Sequence, residues 1–376
     1  MRVGLDATPL LGPRTGVGRY VAGLVDALAV SGGVAELRLV PFTWRGAGDL
    51  AGAGAGASEG PAAPAVVRAR RRRVPARALR EAWARTPWPP VEWLAGRVDV
   101  FHATNFVAPP ARRAGLVVTV HDLTYLRYPE MVTAASARYR ALVPIGIGRG
   151  AVVCAPTAAV AAELRETYRV AGDRVVVTPL GVDRRWLRAE PPGAAWLATR
   201  GLPERYLLFV GSREPRKNLT TLLAAYRELL AGGAAPPLVL VGPPGWGAEP
   251  SLAGLPAGSV LTPGYLDDDD LVRVVAGAAA LAHPSWYEGF GLPALEALAC
   301  GTPVVAGDVP ALREVLGEHA ELVDPGDLGA LASALAKAVD DAGAAARAAR
   351  RAHAATFTWE RCAAATLDAY RLAVGR

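Results

Sequence analysis

Cysteine is scarce in this chain of 376 residues. The three cysteines, Cys154, Cys300 and Cys362, are isolated, without a C-x-x-C pair or a histidine at metal-ligand spacing. A disulfide framework and a cysteine-based zinc site are therefore excluded, and each thiol is expected to be buried in a reducing compartment. Long apolar runs are also absent, so no segment is expected to cross a bilayer. The first residues predict a strand rather than a signal peptide, which favours a cytoplasmic protein.

Charge of one sign does not dominate the chain either. The formal net charge of +6 is too small to argue for nucleic acid, although it favours a phosphorylated or anionic partner. Lysine is rare, whereas alanine, glycine, arginine and proline are abundant, a composition that fits a bacterium of high GC content. The length and the even apolar content predict two domains, each with a sizeable core.

Short apolar runs, loops and helical stretches alternate along the chain and predict its fold class. The repetition implies right-handed βαβ units and parallel sheets. We therefore predict an α/β protein with two doubly wound domains, 1–182 and 183–356. The predicted strands are 3–6, 37–42, 98–101, 116–120, 152–154 and 175–178 in the first domain, and 206–210, 238–241, 260–262, 279–282, 303–306 and 320–323 in the second.

Two histidines lie at predicted carboxyl ends of strands in the first domain. His102 ends one strand in Phe-His-Ala-Thr-Asn, and His121 with Asp122 ends the next in Val-Thr-Val-His-Asp-Leu. Open α/β sheets bind ligands beyond these strand ends, so both histidines are candidate site residues. For His102, a structural role with both ring nitrogens satisfied by packing neighbours is equally open. Asp122 is a candidate to fix the tautomer of His121.

A glycine-rich loop follows the first strand and opens a helix. It carries Gly16 and Gly18 in Thr-Gly-Val-Gly-Arg-Tyr. The dinucleotide pattern G-x-G-x-x-G fails, because Val21 stands at the third glycine position and the turn after the strand is too long. A nicotinamide enzyme is therefore disfavoured, but the loop suits a diphosphate at the helix N-terminus.

A second candidate phosphate site follows the first strand of the second domain. The segment 211–218, Gly-Ser-Arg-Glu-Pro-Arg-Lys-Asn, leads into a helix. Arg216 and Lys217 stand where that helix begins, so their charge adds to the partial charge of the helix N-terminus. The spacing therefore predicts a site for a second phosphate group.

The segment 283–303 runs from an apolar strand through a loop into a short helix. The loop carries Glu288, Gly289 and Gly291, and Glu296 follows in the first turns of the helix. Glycines let the backbone approach a ligand because no Cβ blocks it, and N–H groups at a helix entrance attract anions and hydroxyl oxygens. The two carboxylates are placed to accept hydrogen bonds from vicinal hydroxyls, as on a sugar ring and a ribose.

Glu288 and Glu296 form a Glu-x7-Glu motif, and this segment resembles that of the retaining glycosyltransferases of family 4, which have the GT-B fold. The loop at Gly16 and the segment 211–218 resemble the same family, in its mannosyltransferase-like branch. The resemblance implies two Rossmann-like domains whose parallel sheets face across a cleft. It also implies that the last helix, at about 357–376, packs back onto the first domain.

The resemblance further implies an activity and its residues. A sugar would pass from a nucleotide-diphosphate sugar to a glycan, lipid-linked or small-molecule acceptor, with retained configuration and without a cofactor or metal. GDP-mannose is the preferred donor, in polysaccharide, glycolipid or glycoconjugate biosynthesis. The implied catalytic residues are His121, Glu288 and Lys217. The implied donor-binding residues are Gly16, Gly18, Ser212, Arg213, Arg216, Lys217, Tyr265, Leu266, Glu288, Gly289, Phe290, Gly291, Leu292 and Glu296.

Individual roles follow from the same resemblance. Glu288 would hold the transferred sugar and Glu296 the ribose, while His121 would reach the sugar from the first domain. Other branches of the family carry an arginine where this chain has Ser212, so Arg213 or Arg216 is expected to supply the cation that accompanies Lys217.

Two other functions remain open. The chain is compatible with a non-catalytic sugar-nucleotide-binding partner of another transferase, although intact Glu288, Glu296, Lys217 and His121 argue against it. A nucleotide-sugar epimerase of the same fold is a further alternative. A pyridoxal-phosphate phosphorylase is disfavoured because no lysine stands in a comparable segment.

Two charged runs need separate interpretation. The four aspartates at 267–270 are explained by capping and the helix dipole rather than by a metal. Arginines crowd 68–85, after a low-complexity stretch at 46–64 that is expected to be mobile. This basic run is either a solvated face or an interfacial helix that contacts an anionic membrane. The apolar face of such a helix would consist of Val74, Ala78, Leu79, Ala82 and Trp83.

Overall fold

The computed structural model describes residues 1–12, 15–44, 65–69, 74–233, 235–247, 250–341 and 343–375. They form two compact units. Unit 1 comprises Met1–Gly181 with Thr358–Arg376, and unit 2 comprises Val182–Phe357. The sequence analysis placed a domain boundary after residue 182. The stretch predicted to be mobile, 46–64, lies outside the described residues.

Each unit is built on one parallel sheet, whose strands come from the apolar runs of the sequence. The strands of unit 1 are β1 (Arg2–Asp6), β2 (Glu36–Val40), β3 (Val66–Ala69), β4 (Val100–Ala103), β5 (Gly115–Thr119), β6 (Val152–Ala155) and β7 (Val175–Val177). The strands of unit 2 are β8 (Leu207–Val210), β9 (Leu238–Val241), β10 (Val260–Gly264), β11 (Ala280–His283), β12 (Val304–Gly307) and β13 (Glu321–Val323).

Helices connect and cover the strands. Those of unit 1 are α1 (Gly16–Val30), α2 (Ala76–Arg85), α3 (Glu92–Ala95), α4 (Thr124–Arg127), α5 (Ala134–Ala137), α6 (Tyr139–Gly148), α7 (Ala158–Tyr168) and, at the end of the chain, α16 (Trp359–Val374). Those of unit 2 are α8 (Arg184–Leu187), α9 (Ala194–Thr199), α10 (Leu219–Ala231), α11 (Asp268–Gly277), α12 (Leu292–Cys300), α13 (Pro310–Leu316), α14 (Leu328–Val339) and α15 (Ala344–Ala354).

The strand order of both sheets reverses once. In unit 1 the order is β3-β2-β1-β4-β5-β6-β7, and in unit 2 it is β10-β9-β8-β11-β12-β13. All described neighbours pair in parallel. The direction of the connections therefore changes between β1 and β4 in unit 1, and between β8 and β11 in unit 2. These two reversals define the crevices in which doubly wound sheets bind ligands.

Strand β3 was missed in the sequence analysis. It pairs with β2, with Leu37 opposite Val67 and Arg38 opposite Arg68. Its position at the edge of the sheet leaves Val66 51% exposed, so it lacks the fully apolar pattern of a central strand. Arg68 was interpreted as the start of a basic run, and its side chain extends instead from this edge strand.

The apolar face predicted for membrane contact in 68–85 is wrong for its two largest members. On α2, Leu79 is 8% and Trp83 1% exposed, and both belong to the core of unit 1. Trp83 Nε1 also donates a hydrogen bond to the carbonyl of Pro89 at 2.9 Å. Burial in the core outcompetes any lipid surface for these side chains, because they are already removed from water.

The final helix completes the core of unit 1. Helix α16 packs on α1 and on the central strands. Gly23 of α1 makes the closest approach, since a Cβ at this position would lie 2.2 Å from the ring of Trp359. Gly115, at the start of β5, is similarly close, and its Cβ would lie 2.5 Å from the carbonyl oxygen of Ala373.

His102 has the structural role that was left open. It is fully buried on β4, where Nδ1 lies 2.9 Å from the hydroxyl of Tyr370 on α16 and Nε2 lies 2.7 Å from Thr119 Oγ1. The Thr119 hydroxyl is also 2.8 Å from Tyr20 Oη. Burial lowers the pKa of His102 to about 3, so the ring is neutral. Both ring nitrogens are therefore satisfied inside the core.

The prediction of buried thiols is confirmed, because Cys154, Cys300 and Cys362 are all free and buried. Burial raises the pKa of Cys300 and of Cys362 to about 12 and that of Cys154 further, so the thiols stay protonated. Among the described helices, none combines the length and the apolarity needed to span a bilayer.

The close contact at Gly23 gives a test of how α16 docks. Gly23→Ala should lower the free energy of unfolding by about 1–3 kcal/mol, because the added methyl group overlaps the Trp359 ring. Gly148→Ala is the matched control, since a Cβ at Gly148 in α6 meets nothing within 4 Å. That change should be neutral or stabilising by up to about 1 kcal/mol. Urea unfolding that finds the two variants equally stable would contradict this packing.

Candidate active site

The two segments singled out in the second domain meet at the strand reversal of unit 2. Strands β8 and β11 are neighbours, with Leu208 opposite Leu281. The loop after β8 contains residues 211–218, and the loop after β11 contains Glu288 and the glycines. Because parallel strands end at the same edge of a sheet, both loops lie at one crevice.

Glu288 is the centre of this crevice. Its Oε1 lies 2.6 Å from Lys217 Nζ, and its Oε2 lies 2.8 Å from Arg216 Nη1. The carboxylate is 6% exposed and Lys217 is 7% exposed, so the charges are almost withdrawn from water. We call Glu288, Lys217 and Arg216 the ion-pair cluster. Isolated charges at such depth are strongly unfavourable, and mutual pairing compensates for the lost hydration.

The cluster determines the ionisation of Glu288. Burial alone would raise the pKa of this carboxyl, but the positive charges of Arg216 and Lys217 hold it well below its usual value. Glu288 is therefore an anion at neutral pH, able to accept hydrogen bonds from hydroxyl groups. The cations beside it are suited to a phosphate group.

Arg216 is positioned by further contacts. Its Nη1 also donates to the carbonyl of Tyr287 at 3.1 Å, and Nη2 lies 3.5 Å from Glu214 Oε2. Ser212 Oγ in turn donates to Glu214 Oε1. Of the two arginines weighed in the sequence analysis, the structure places Arg216 beside Lys217. Ser212 reaches this cation through Glu214.

The turn before α10 holds the cluster in place. Pro215–Lys217 forms a 3-10 turn, and Asn218 follows with φ of +57°. The amide Nδ2 of Asn218 donates to the carbonyls of Pro284 at 3.1 Å and Pro325 at 2.7 Å. These bonds fasten the loop after β8 to the loop after β11.

The loop at 289–292 requires glycine at one position above all. Gly291 adopts φ of +90°, and a Cβ there would lie 2.3 Å from Leu312 Cδ2. Phe290 and Leu292 are buried, and the Phe290 ring meets Phe357 edge-on at 5.9 Å. The side chains of Phe290 and Leu292 therefore point into the interior of unit 2. Gly289 and Gly291 add no side chain to this loop.

Glu296, Tyr265 and Leu266 occupy different surroundings. Glu296 is 3% exposed on α12, one turn after the helix begins. Tyr265 and Leu266 follow β10, and the Tyr265 side chain is 47% exposed. All three belong to unit 2, and their contact with a nucleotide stays a prediction.

The sequence analysis missed His283. This last residue of β11 is fully buried, with Nε2 3.1 Å from Glu288 Oε1 but without the alignment of a hydrogen bond. Burial lowers the pKa of His283, which keeps the ring neutral. Neither ring nitrogen has a hydrogen-bond partner among the described residues. The sequence signal that could have identified His283 is a histidine at the carboxyl end of a predicted strand. The sequence analysis used this signal only in the first domain, for His102 and His121.

His121 lies at the carboxyl edge of the sheet in unit 1. Its Nε2 donates a hydrogen bond to the carbonyl of Thr104 at 2.9 Å, and Tyr20 and Phe106 meet its ring edge-on. Burial lowers the pKa of His121, although the Thr104 bond and the charge of Asp122 oppose this. A neutral ring that donates from Nε2 carries its lone pair on Nδ1.

The expectation that Asp122 fixes the tautomer of His121 is wrong. The carbonyl of Thr104 does so, because a carbonyl can only accept and Nε2 must donate to it. Asp122 Oδ1 instead accepts from the backbone N–H of Thr124 at 2.9 Å. The carboxylate therefore shapes the turn after β5.

Gly16 and Gly18 begin helix α1. Thr15 caps this helix, and its side chain accepts from the N–H of Gly18 at 3.4 Å. A Cβ at Gly18 would lie 2.8 Å from the carbonyl oxygen of Pro9, whereas one at Gly16 would meet nothing within 4 Å. Gly18 thus allows close packing of the preceding loop, and donor contact by either glycine stays a prediction.

The aspartates at 267–270 cap a helix, as expected. Asp267 Oδ1 accepts from the N–H of Asp270 at 2.8 Å at the start of α11. Asp270 pairs with Arg200, and Asp268 lies 3.4 Å from Arg185. In the described ranges, no three histidine, cysteine, aspartate or glutamate side chains cluster as metal ligands would.

Solved structures of the GT-B fold superpose on almost the whole chain. A sucrose-phosphate synthase of Thermosynechococcus elongatus superposes with a TM-score of 0.71 at 21% identity, covering 99% of this chain and 98% of that one. HepE of Anabaena in complex with UDP-glucose superposes with a TM-score of 0.64 at 17% identity, covering 96% of both chains. At such identities the likeness shows the fold, which is α/β and GT-B.

Sequence comparisons then give the family. Residues 14–186 match the model of glycosyltransferase family 4, and residues 199–355 match that of glycosyl transferases group 1. The O-antigen chain mannosyltransferase B of Escherichia coli is 30% identical over 400 residues, covering 99% of this chain and all of that protein. The chain therefore belongs to the glycosyltransferases of family 4.

The depressed pKa of Glu288 predicts a pH-dependent contribution to stability. At pH 7, Glu288→Gln should lower the free energy of unfolding by about 1.5–3 kcal/mol, because Lys217 and Arg216 lose their shared counter-ion. The difference in unfolding free energy between wild type and variant has its full value above the unfolded-state pKa of about 4.3. It disappears as the pH falls through the lower folded-state pKa, because wild-type Glu288 then becomes protonated and uncharged as well.

Glu321→Gln supplies the matched control in the same unit. Glu321 pairs with Lys337 at 3.0 Å, but both side chains are largely exposed. Its replacement should change stability by no more than about 0.5 kcal/mol. Urea unfolding at pH 7 that shows equal losses for both variants would contradict a special contribution from the buried cluster.

Proposed function

We propose that this glycosyltransferase moves a sugar from a nucleotide-diphosphate donor to an acceptor hydroxyl, with retention of anomeric configuration. The observation that carries the proposal is the ion-pair cluster at the strand reversal of unit 2. It combines a buried anion that suits sugar hydroxyls with two cations that suit phosphate groups.

The donor diphosphate would compete with Glu288 for the two cations. When the phosphate oxygens bind Lys217 and Arg216, the Glu288 carboxylate becomes available to hydroxyls of the transferred sugar. Charge develops on the leaving diphosphate as the bond to the sugar breaks, and cations already in place stabilise it without reorganisation. On this proposal no divalent ion is required for the leaving group.

His121 is proposed to hold the transferred sugar through Nδ1. The bond from Nε2 to Thr104 leaves the Nδ1 lone pair to accept a hydrogen bond from a sugar hydroxyl. Protonation of the ring would abolish this acceptor, and the lowered pKa protects against it at neutral pH. Glu296 is proposed to accept from the ribose hydroxyls of the donor.

Retention is proposed to follow from a front-face substitution through an oxocarbenium-like state. Membership of family 4 supports this mechanism. The preferred donor is GDP-mannose, supported by the 30% identity to an O-antigen chain mannosyltransferase across 99% of this chain. A role in polysaccharide, glycolipid or glycoconjugate biosynthesis agrees with that relative.

A panel of nucleotide sugars tests the function directly. We expect GDP-mannose, or another nucleotide sugar of the panel, to raise the melting temperature. In excess EDTA it should also release its nucleoside diphosphate as the sugar passes to an acceptor hydroxyl or, more slowly, to water. Lys217→Met should reduce the rate by about a hundredfold, as the loss of an electrostatic stabiliser does. Lys337→Met, which changes the exposed lysine of α14, should leave the rate unchanged.

Four outcomes would contradict this function or part of it. A Lys217→Met rate within about threefold of wild type would remove the phosphate role, being far below the expected loss. Binding of a nucleotide sugar without turnover would favour a non-catalytic partner of another transferase, and interconversion of free nucleotide sugars an epimerase. Loss of activity in EDTA with rescue by Mg²⁺ would contradict the metal-free mechanism.

A peripheral contact with anionic membranes stays a prediction, now of purely electrostatic origin. Arg77 and Arg85 of α2 and Arg68 of β3 are exposed, while Arg70 to Arg73 lie outside the described residues. Each basic residue near an anionic surface contributes about 1 kcal/mol. We expect sedimentation with phosphatidylglycerol vesicles that weakens steeply with salt and is reduced when Arg70 to Arg73 become serine. Equal sedimentation of both proteins, or none by either, would remove the membrane role.

A further inference from the structure

His283 is a buried histidine of unit 2 whose ring takes no part in the proposed donor contacts. It ends β11, where its backbone lies opposite Ala306 of β12. The side chain is fully buried, but neither ring nitrogen forms an aligned hydrogen bond within the described residues. Buried polar groups are nearly always hydrogen-bonded, because an unpaired one is unfavourable. The burial of this ring therefore has a reason other than packing.

His102 of unit 1 shows how the same chain buries a structural histidine. It is also fully buried in a strand, and burial lowers the pKa of both rings, so both are neutral. The two ring nitrogens of His102, however, pair with Tyr370 and Thr119 at 2.9 and 2.7 Å. His283 lacks such partners among the described residues and differs from His102 in one more respect, which is the carboxylate beside it.

The nearest acidic group to the His283 ring is Glu288, whose Oε1 lies 3.1 Å from Nε2. Two lone pairs at this distance would repel each other, so Nε2 carries the proton of the neutral ring and Nδ1 carries the lone pair. The ring also lies next to the glycine-rich loop, since a Cβ at Gly291 would come within 4.0 Å of Nε2. An N–H donor is thus placed beside Glu288 without completing a hydrogen bond to it.

Three side chains compete for the Glu288 carboxylate in the described part of the chain. Lys217 Nζ holds Oε1 at 2.6 Å, the same oxygen that His283 approaches, and Arg216 Nη1 holds Oε2 at 2.8 Å. The two cations belong to the loop after β8 and suit phosphate groups. His283 belongs to a strand and is fully buried. A diphosphate can therefore draw away the cations, whereas the histidine stays beside the carboxylate.

We propose that His283 is a positioning residue of the transferase, which holds one oxygen of Glu288 after the donor diphosphate has taken Lys217 and Arg216. The other oxygen is then free to accept from a hydroxyl of the transferred sugar. A buried carboxylate that loses both cations without a substitute would be strongly unfavourable, and a hydrogen bond to a charged group offsets part of this loss. The inference rests on the transferase function proposed above.

A neutral donor is suited to this position. An imidazole that stays uncharged does not compete with Lys217 and Arg216 for the diphosphate, and it leaves the negative charge on Glu288. Because His283 acts through Glu288 and does not touch the sugar, its effect depends on the carboxylate being present. This dependence separates the positioning role from a contribution to packing.

Calorimetric titration of the full chain with GDP, UDP, ADP and dTDP tests the proposal, using whichever of them binds wild type most tightly. His283→Leu should weaken that binding by about tenfold or more, the loss expected when a hydrogen bond to a charged group is missing. His283→Gln should bind within about threefold of wild type, because its amide nitrogen replaces Nε2 and supplies the donor lost in the leucine variant.

His283→Asn is the matched control for the glutamine variant. Its amide is one methylene shorter and reaches only the place of Nδ1, so it should be as weak as His283→Leu. Urea unfolding checks that each variant is folded, and if the leucine variant is not, the comparison of asparagine with glutamine carries the test.

A double-mutant cycle with Glu288→Gln tests the route of the effect. In this background no buried negative charge needs a donor. Adding His283→Leu, or His283→Asn if the leucine variant is unfolded, should therefore change nucleotide affinity by less than about threefold, against the roughly tenfold loss expected with Glu288 present. A packing defect would weaken binding equally in both backgrounds.

Three results would overturn the positioning role while the proposed function stands. These are wild-type affinity in the folded leucine and asparagine variants, equal losses in the asparagine and glutamine variants, and a loss that persists when Glu288 is glutamine. Failure of wild type to bind any of the four nucleoside diphosphates would instead remove the donor function, and the role of His283 with it.

Discussion

The negative charge of Glu288 is the constraint on which the site in unit 2 depends. Lys217 and Arg216 can be buried close together because the Glu288 carboxylate lies between them, and Glu214 adds a second, longer contact to Arg216. The same contacts join the loop after β8 to the loop after β11, so the charge balance is also what fixes the shape of the crevice. Removing a buried partner leaves an uncompensated charge, so a substitution in such a cluster destabilises the protein more than one in an exposed pair.

Both units use the same property of a parallel sheet. Where the strand order reverses, the loops after the two neighbouring strands run in opposite directions and leave a crevice between them. Polar side chains lie in this crevice in both units. In unit 2 the reversal holds an anion between cations, and in unit 1 it holds Asp6, Asn105 and Arg80 around a cavity. The two crevices differ in chemistry because their loops differ, while the scaffold that exposes them is shared.

The strands were predictable because central parallel strands are apolar on both faces, as in Leu207–Val210 and Val152–Ala155. The edge strand Val66–Ala69 was not predicted, because one side of it is exposed and carries Arg68. The face of α2 was misassigned for a related reason. Periodicity shows that Leu79 and Trp83 share a face, but it does not show whether core or lipid covers that face.

The sequence predicts which residues form the site in unit 2, but it predicts the contacts between them less well. Motif spacing identified Glu288, Lys217 and Arg216, yet it could not show that they pair with one another. The choice of Thr104 over Asp122 as the partner of His121 depends on where a strand end places a carbonyl. Such choices arise from tertiary geometry, which local sequence does not encode.

The hydrogen-bond network around His102 connects residues that lie on either side of unit 2 in the chain. Tyr20, His102 and Thr119 leave the ribosome early, whereas Tyr370 follows only after all of unit 2 has been made. Domains generally fold as units during translation, the N-terminal one first. In this chain the buried hydrogen bonds of the first sheet can be completed only after unit 2 has been synthesised, because His102 Nδ1 pairs with the hydroxyl of Tyr370 on α16.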